Sequence, residues 1–218
     1  RVLIADDHQI VRVGLCSVLM GQEGFEIVGQ ASNGLEAIEL AQENAPDIVL
    51  MDVSMPQMNG REAARQIKHD LLDTKIIVIS MYDRREFILD MLDAGVQGYI
   101  LKTEAADDLM PAIRAALDGE VYLTPRIATV VAKECVSQKQ TPGTRTHTGL
   151  STRERQVLQL IAEGKSSKEI AKILELEEGT VVVHRRNIGS KLKLHSIAEL
   201  TKYAIQEGIT MLDNSSYR

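Results

Sequence analysis

The sequence predicts an α/β unit built on a parallel sheet, followed by a small all-α unit. Over the first 120 residues, short apolar runs alternate with longer segments whose apolar residues recur at helical spacing. After Gly119 this alternation stops, and from Leu150 onward only helical spacing is present. Strands that alternate with helices favour a parallel sheet covered on both faces. The four short helices expected after Leu150 fit a helix-turn-helix module.

Five apolar runs predict the strands of the sheet, and a helical segment follows each of them. The strands are rich in Val and Ile, and several are apolar almost throughout, which is typical of strands buried on both faces. The predicted strands are RVLIA (1–5), FEIVGQA (25–31), DIVLM (47–51), KIIVIS (75–80) and GYIL (98–101). The predicted helices are 10–20, 35–42, 62–68, 87–92 and 109–117. For this (βα)5 pattern we expect the flavodoxin-like strand order 2-1-3-4-5.

Capping signals mark the helices of the all-α unit. The segments STRE (151–154) and SIAE (196–199) are capping boxes at the start of its first and last helices. Gly164 fits the end of the first helix. Between these two helices, the apolar spacing predicts short helices over 167–174 and 178–192.

The segment between the two units predicts one more helix and a flexible stretch. The run TPRIATVVAKEC (124–135) has Pro125 in the first turn of a possible helix. The run VSQKQTPGTRTHTG (136–149) is polar and has no apolar period, as in a flexible linker. The predicted domains are an α/β domain at 1–120, a linker with a short helix at 121–149, a helix-turn-helix domain at 150–210 and a tail at 211–218.

Charge and composition narrow the class of protein. Residues 1–144 carry 13 Lys+Arg against 22 Asp+Glu, a net of −9, whereas residues 145–218 carry 12 against 9, a net of +3. An anionic partner is therefore expected at the C-terminal unit. The two cysteines show no paired spacing, and no apolar run is long enough to cross a bilayer. With no signal-like stretch at the start, we expect a cytoplasmic protein that does not bind membranes.

Polar residues stand where the predicted strands end. Asp6 and Asp7 follow the first strand and Asp52 the third, while Ser80 ends the fourth and Lys102 follows the fifth. Ligands bind beyond the carboxyl ends of the strands in such sheets, so these side chains are expected in one pocket. Clustered carboxylates repel one another unless a cation is present, and Mg²⁺ prefers hard oxygen ligands. An Asp beside a metal can act as a nucleophile and form an aspartyl phosphate.

The motifs ADDH, VLMDVSMPQMNG, VIS and GYILK, in this order, resemble the receiver domain of two-component response regulators. The resemblance covers residues 1 to about 120. It implies that Asp52 is the phosphorylated residue. It also implies that Asp7, Asp52 and the backbone carbonyl of Ser54 bind Mg²⁺ directly, and that Asp6 acts on the metal through water.

The same resemblance assigns roles around the phosphoryl group. Lys102 is expected to pair with the phosphoryl oxygens. Ser80 and Tyr99 match the switch pair of the family, in which the hydroxyl moves to the phosphate and the aromatic ring turns inward. Pro56 and Gly60 fit the turn after the phosphorylated strand.

The motifs LSTRE, LIAEGKSSKEIA, TVVVH and SKL resemble the DNA-binding domain of NarL/FixJ-type regulators, also called LuxR-type. Helical spacing over 178–192 places Val181, Ile188 and Leu192 on an inward stripe, so another face of this helix is expected to enter the major groove. Arg186 can either read guanine or contact a phosphate. The residues predicted to contact DNA are Lys165, Lys168, Val182, Val183, Arg185, Arg186, Ser190, Lys191 and Lys193.

Together these features predict a phosphorylation-controlled, DNA-binding transcription regulator. A sensor histidine kinase is expected to transfer a phosphoryl group to Asp52, and the switch is expected to act on double-stranded DNA through a homodimer. Two alternatives remain open. One is a DNA-binding regulator that works without phosphate. The other is a phosphatase of the haloacid-dehalogenase type, although Ser54 stands where those enzymes typically carry a second Asp.

Overall fold

The computed structural model describes residues 1–138 and 149–210. The chain divides into two compact units, 1–143 and 144–218. Most of the predicted flexible stretch and the whole predicted tail lie outside the described residues.

The first unit alternates strands and helices as expected. Its strands are β1 (Val2–Ala5), β2 (Ile27–Ala31), β3 (Ile48–Met51), β4 (Lys75–Ser80), β5 (Gly98–Leu101) and β6 (Tyr122–Leu123). Its helices are α1 (Gln9–Met20), α2 (Gly34–Asn44), α3 (Gly60–Asp70), α4 (Arg85–Asp93), α5 (Ala105–Leu117) and α6 (Pro125–Gln138). All strands are parallel, in the order β2-β1-β3-β4-β5-β6. The predicted flavodoxin-like order of the five strands is confirmed.

The sixth strand was not predicted. Two residues are too short to give an apolar period, and β6 is fixed instead by main-chain bonding, since the Tyr122 N–H donates to the carbonyl of Gln97 at 2.9 Å. The helix predicted over 124–135 is present as α6 and packs on β6 and α4. The Arg85 Nε lies 2.6 Å from Glu134 Oε2 and joins α4 to α6. Residues 122–138, which were expected in the linker, are thus built onto the first unit.

The apolar runs became strands because both faces of the sheet are covered. Strands β1, β3 and β5 are buried along their whole length. On one face, Leu15 and Leu19 of α1 and Ile113 of α5 join the buried strand side chains in one apolar cluster. Burial of each such side chain contributes about 1.5–3 kcal/mol relative to its exposure. This packing fixes where the carboxyl ends of the strands lie.

The second unit contains α7 (Thr152–Ala162), α8 (Ser167–Ile173), α9 (Glu178–Leu192) and α10 (Ile197–Gln206). Capping boxes begin α7 at Ser151 and α10 at Ser196, as predicted, and a third begins α8 at Ser166. Helix α7 packs against α9 and α10, and α8 packs against α9. Val181 and Ile188 of α9 are fully buried in the shared core, as the inward stripe predicted. No helix in the described ranges is long and apolar enough to span a bilayer.

Candidate functional site

The end of β1 supplies two carboxylates with different surroundings. Asp6 is 1% exposed, whereas the side chain of Asp7 is about one-third exposed at 32%. The backbone N–H of His8 donates to Asp6 Oδ1 at 2.8 Å, and the imidazole Nδ1 of His8 lies 2.6 Å from Asp7 Oδ1. This places Asp6 deep in the site and Asp7 at its edge, with His8 hydrogen-bonded locally.

Asp52 follows β3 and is 3% exposed. Its position depends on Gly60, because a Cβ at residue 60 would overlap the carbonyl oxygen of Asp52. Burial raises the pKa of Asp52 to about 6, and the nearby Asp6 charge acts in the same direction, while Lys102 and the backbone N–H of Ser54 oppose it. The carboxylate is therefore ionised at neutral pH but is held in an unfavourable environment.

Lys102 follows β5 and lies between two of the carboxylates. Its Nζ is 2.6 Å from Asp6 Oδ2 and 2.8 Å from Asp52 Oδ2. Burial alone would lower the pKa of Lys102, but the charges and hydrogen bonds of Asp52 and Asp6 raise it above its ordinary value. The structure thus brings together the three carboxylates and the ammonium that the sequence predicted at one edge of the sheet.

This cluster has the composition of a cation site. Asp6, Asp7, His8 and Asp52 each offer a ligand atom, and these atoms lie within 4.8 Å of one another. Asp52 Oδ1 is buried and has no hydrogen-bond partner among the described residues. Three carboxylates face a single ammonium, so a hard divalent cation would reduce the excess negative charge. The donor set can therefore hold a metal ion.

Ser80 and Tyr99 lie next to the cluster and are both fully buried. Besides their direct side-chain interaction, both are hydrogen-bonded to the backbone of Tyr82. The backbone N–H of Tyr82 donates to Ser80 Oγ at 3.1 Å, and the Tyr99 hydroxyl donates to the Tyr82 carbonyl at 2.7 Å. Burial raises the pKa of Tyr99, so its hydroxyl stays protonated and can donate. Sequence reasoning missed Tyr82, because its contribution is made by backbone atoms that its side chain does not reveal.

In the second unit, the side of α9 opposite its buried stripe is open to solvent. Val182 is 55% exposed and Val183 is 45% exposed. Glu177 stands at the N-cap of α9 without a side-chain cap hydrogen bond. The residues predicted to contact DNA divide into exposed ones, Lys168, Val182, Val183, Arg186, Ser190, Lys191 and Lys193, and half-buried ones, Lys165 and Arg185.

Two of these cations have contacts that the sequence did not reveal. The Nζ of Lys191 lies 2.6 Å from Glu154 Oε2 and donates to the Gly149 carbonyl at 3.1 Å. Glu154 belongs to the capping box of α7 and is 4% exposed. Arg185 donates to Ser167 Oγ at 3.5 Å. Lys191 therefore stabilises the helical core, and its contact with DNA stays a prediction.

Comparison with known proteins finds a matching family for each unit. Residues 2–114 match the response regulator receiver domain, and residues 148–204 match the bacterial regulatory proteins of the luxR family. The chain is 37% identical over 212 residues to the oxygen regulatory protein NreC of Staphylococcus epidermidis, which covers 95% of this chain and 97% of that protein. It is 40% identical over 206 residues to the transcriptional regulatory protein LiaR of Bacillus subtilis, which covers 94% of this chain and 96% of that protein.

Solved structures show the same similarity. A LuxR-family two-component response regulator from Aurantimonas has 35% sequence identity and a TM-score of 0.60, and the match covers 62% of this chain and 97% of that one. RcsB from Salmonella enterica serovar Typhimurium, bound to a promoter in the presence of phosphomimetic BeF3⁻, has 28% identity and a TM-score of 0.56. That match covers 93% of this chain and 96% of RcsB. Another structure holds two RcsB dimers on two parallel DNAs, with a TM-score of 0.58.

Proposed function

We propose that phosphorylation of Asp52 controls DNA binding by this chain, which belongs to the response regulators that join a receiver domain to a LuxR-type DNA-binding domain. Proteins of this family are DNA-binding transcription regulators of two-component systems, not turnover enzymes. In our assignment, residues 1–120 act as the receiver and 150–210 bind DNA. Residues 121–149 join them, and the first part of this segment packs on the receiver as β6 and α6.

The buried carboxylate of Asp52 carries the proposal. Its Oδ1 is buried without a hydrogen-bond partner among the described residues, while Oδ2 is held by Lys102. An ionised oxygen with free lone pairs can attack phosphorus. In transfer from a phosphohistidine of the sensor kinase, the Oδ1–P bond forms as the P–N bond breaks, and the electron pair returns to the imidazole nitrogen. Because Lys102 already lies beside Oδ2, it can pair with a phosphoryl oxygen after the transfer.

We propose Mg²⁺ as the cation of this cluster. Asp7, Asp52 and the backbone carbonyl of Ser54 would bind it directly, and Asp6 would act through water. The burial of Asp6 and the exposed edge position of Asp7 support this division, since the outer carboxylate is the more accessible one. Bound there, Mg²⁺ would supply positive charge that offsets the carboxylates and the phosphoryl oxygens.

The proposed switch uses the buried contacts of Tyr82. When Ser80 turns to donate its hydroxyl to the phosphoryl group, the backbone N–H of Tyr82 loses its acceptor. The Tyr99 hydroxyl is bonded to the same peptide segment, so the two side chains are expected to shift together between two states. We propose that the phosphorylated state favours a homodimer that binds paired half-sites in double-stranded DNA, in the bacterial cytoplasm where that DNA is found.

The test compares wild type, Asp52→Ala and Asp118→Ala, a matched control at an exposed acid after α5. Each full-length protein is treated with Mg²⁺ and a small-molecule phosphodonor, and intact mass and DNA affinity are measured. We expect phosphate on wild type and Asp118→Ala alone, with DNA affinity raised about tenfold, a typical coupling of about 1.4 kcal/mol. Wild type that gains phosphate without a change in affinity would support the phosphate-independent regulator. Wild type that gains no phosphate would contradict the assignment of Asp52.

A further inference from the structure

Helix α6 is held on the first unit by two ion pairs that both end at the start of α4. Arg126, in the first turn of α6, pairs with Asp83. Further along the helix, Glu134 pairs with Arg85, the first residue of α4. Ile127 of α6 is fully buried. The helix is therefore fixed to residues 83–85 by charge as well as by apolar packing.

The pair of Glu134 and Arg85 is expected to be the stronger of the two contacts, because its carboxylate is buried. The Glu134 side chain is 9% exposed, and the Nε and a second guanidinium nitrogen of Arg85 both contact its Oε2. The side chains of Asp83 and Arg126 are more open to solvent, which weakens their attraction. Taking the partner away from a buried charge is strongly destabilising. The docking of α6 thus depends on where Arg85 stands.

The short segment that ends at Arg85 also carries contacts of the proposed switch. The backbone N–H of Tyr82 donates to Ser80 Oγ, and the Tyr82 carbonyl accepts from the Tyr99 hydroxyl. Asp83 follows Tyr82 directly in the chain, and Arg85 comes two residues later. A movement of the Tyr82 peptide is therefore passed to both ion pairs of α6 through at most three residues.

We infer that α6 is a latch on the receiver, docked through Arg85 and Glu134 before phosphorylation and loosened by it. The inference rests on the proposed function, because it takes phosphorylation of Asp52 as its premise. When Ser80 turns toward the phosphoryl group, the Tyr82 N–H loses its acceptor and the segment that leads into α4 can shift. A shift that moves the Arg85 guanidinium raises the cost of keeping the Glu134 carboxylate buried. Undocking of α6 then becomes more favourable, because it returns that carboxylate to water.

A latch of this kind would also restrain the receiver itself. If occupation of the phosphoryl site favours the undocked α6, then an undocked α6 must favour occupation of that site by the same factor. Loss of the Glu134 charge is therefore expected to make the site at Asp52 bind a phosphoryl analogue more tightly. Beryllofluoride is a suitable probe, since it binds reversibly and its affinity can be measured at equilibrium.

The experiment uses the full chain with Mg²⁺ and beryllofluoride. Hydrogen exchange is followed in peptides from α6, with peptides from α2 as the internal reference. In wild type, beryllofluoride should speed exchange in α6 about tenfold and leave α2 unchanged, whereas it should change nothing in Asp52→Ala. Glu134→Gln removes the charge and keeps the size of the side chain. In this variant α6 should exchange about tenfold faster without beryllofluoride, and fluorine NMR should show beryllofluoride bound about tenfold more tightly.

Two further variants separate the latch from a general loss of charge or of folding. Glu120→Gln removes an exposed acid two residues before β6 and should behave like wild type. Arg85→Glu combined with Glu134→Arg should restore slow exchange in α6 and the wild-type affinity, because opposite charges again face each other. Circular dichroism checks that each variant folds.

The outcomes distinguish the latch from the proposed function. The latch is overturned, and the assignment of Asp52 stands, if wild type binds beryllofluoride while exchange in α6 stays the same or slows. The same holds if Glu134→Gln matches wild type, or if the charge-exchanged variant keeps the behaviour of Glu134→Gln. Wild type that binds no beryllofluoride and gains no phosphate would overturn the proposed function together with the latch.

Discussion

Replacing Asp52 by Asn is expected to stabilise the first unit, because the wild-type carboxylate is buried in ionised form. Asn has nearly the same size and carries no charge. Lys102 would keep Asp6 as its partner, since Asp6 Oδ2 lies 2.6 Å from its Nζ. The change therefore removes the carboxylate repulsion and the burial cost of one charge, and it leaves the ammonium paired.

The size of the effect follows from the pKa of Asp52. Burial raises that pKa from 3.8 to about 6. Between these values the folded state holds a proton that the unfolded state has lost, so the free energy of unfolding falls as the pH rises. Above pH 6 the free energy of unfolding has fallen by its full amount, about 3 kcal/mol. The free energy of unfolding of Asp52→Asn should thus equal that of wild type near pH 4 and exceed it by up to about 3 kcal/mol at pH 7.5.

The measurement is the free energy of unfolding of the first unit in EDTA, followed by hydrogen exchange in peptides from β3 and β4. Wild type and Asp52→Asn are compared from pH 4 to pH 7.5. Adding Mg²⁺ should then stabilise wild type more than the variant and narrow the gap, because a ligand that binds the folded state stabilises it. A difference that does not change with pH, or a variant that is less stable at pH 7.5, would show that the buried charge of Asp52 does not destabilise the fold.

Three further changes test other parts of the structure. Gly60→Ala should lower the free energy of unfolding of the first unit by more than about 3 kcal/mol and abolish phosphodonor labelling, because a Cβ would overlap the Asp52 carbonyl oxygen. Thermal unfolding and labelling like those of wild type would contradict this. Lys191→Met should destabilise the second unit in urea unfolding, because the buried Glu154 carboxylate loses its cation. We expect only about 1–2 kcal/mol, since the Lys191 side chain is 43% exposed and solvent weakens the ion pair. Unchanged stability would show that Glu154 finds another partner. Gly179→Ala should stabilise the second unit by about 0.5–1 kcal/mol, because Ala favours the helix. If the open side of α9 is the one that contacts DNA, as proposed, the added methyl group should also weaken DNA binding in a gel shift; equal or tighter binding would argue against close approach there.

The sheet and its acidic edge were predictable because each leaves a pattern in the amino-acid sequence. Strands buried on both faces must be apolar throughout, so β1, β3 and β5 are visible as continuous runs. In a parallel sheet, side chains after neighbouring strands meet at one edge, so the cluster of Asp6, Asp52 and Lys102 follows once the strand order is known.

Other features depend on contacts that leave no local pattern. Strand β6 has only two residues, and it exists because β5 offers free backbone groups beside it. Ser80 and Tyr99 are also both hydrogen-bonded to backbone atoms of Tyr82. The pairing of Lys191 with Glu154 joins residues 37 positions apart, and from the sequence Lys191 resembles any exposed cation. Each of these features is specified by tertiary structure rather than by residue type.

The unfavourable local features of the two units coincide with the proposed sites. The folded core could bury an apolar residue at position 52 at no electrostatic cost, yet it buries a carboxylate with a raised pKa. Helix α9 would be more stable with Ala at position 179, yet it carries Gly there on an open side of the helix. Sequences are locally consistent with their folds except where function requires otherwise. At position 52, a phosphoryl group would replace the buried charge with an ester bonded to the surrounding donors, an interaction that the unphosphorylated chain lacks there.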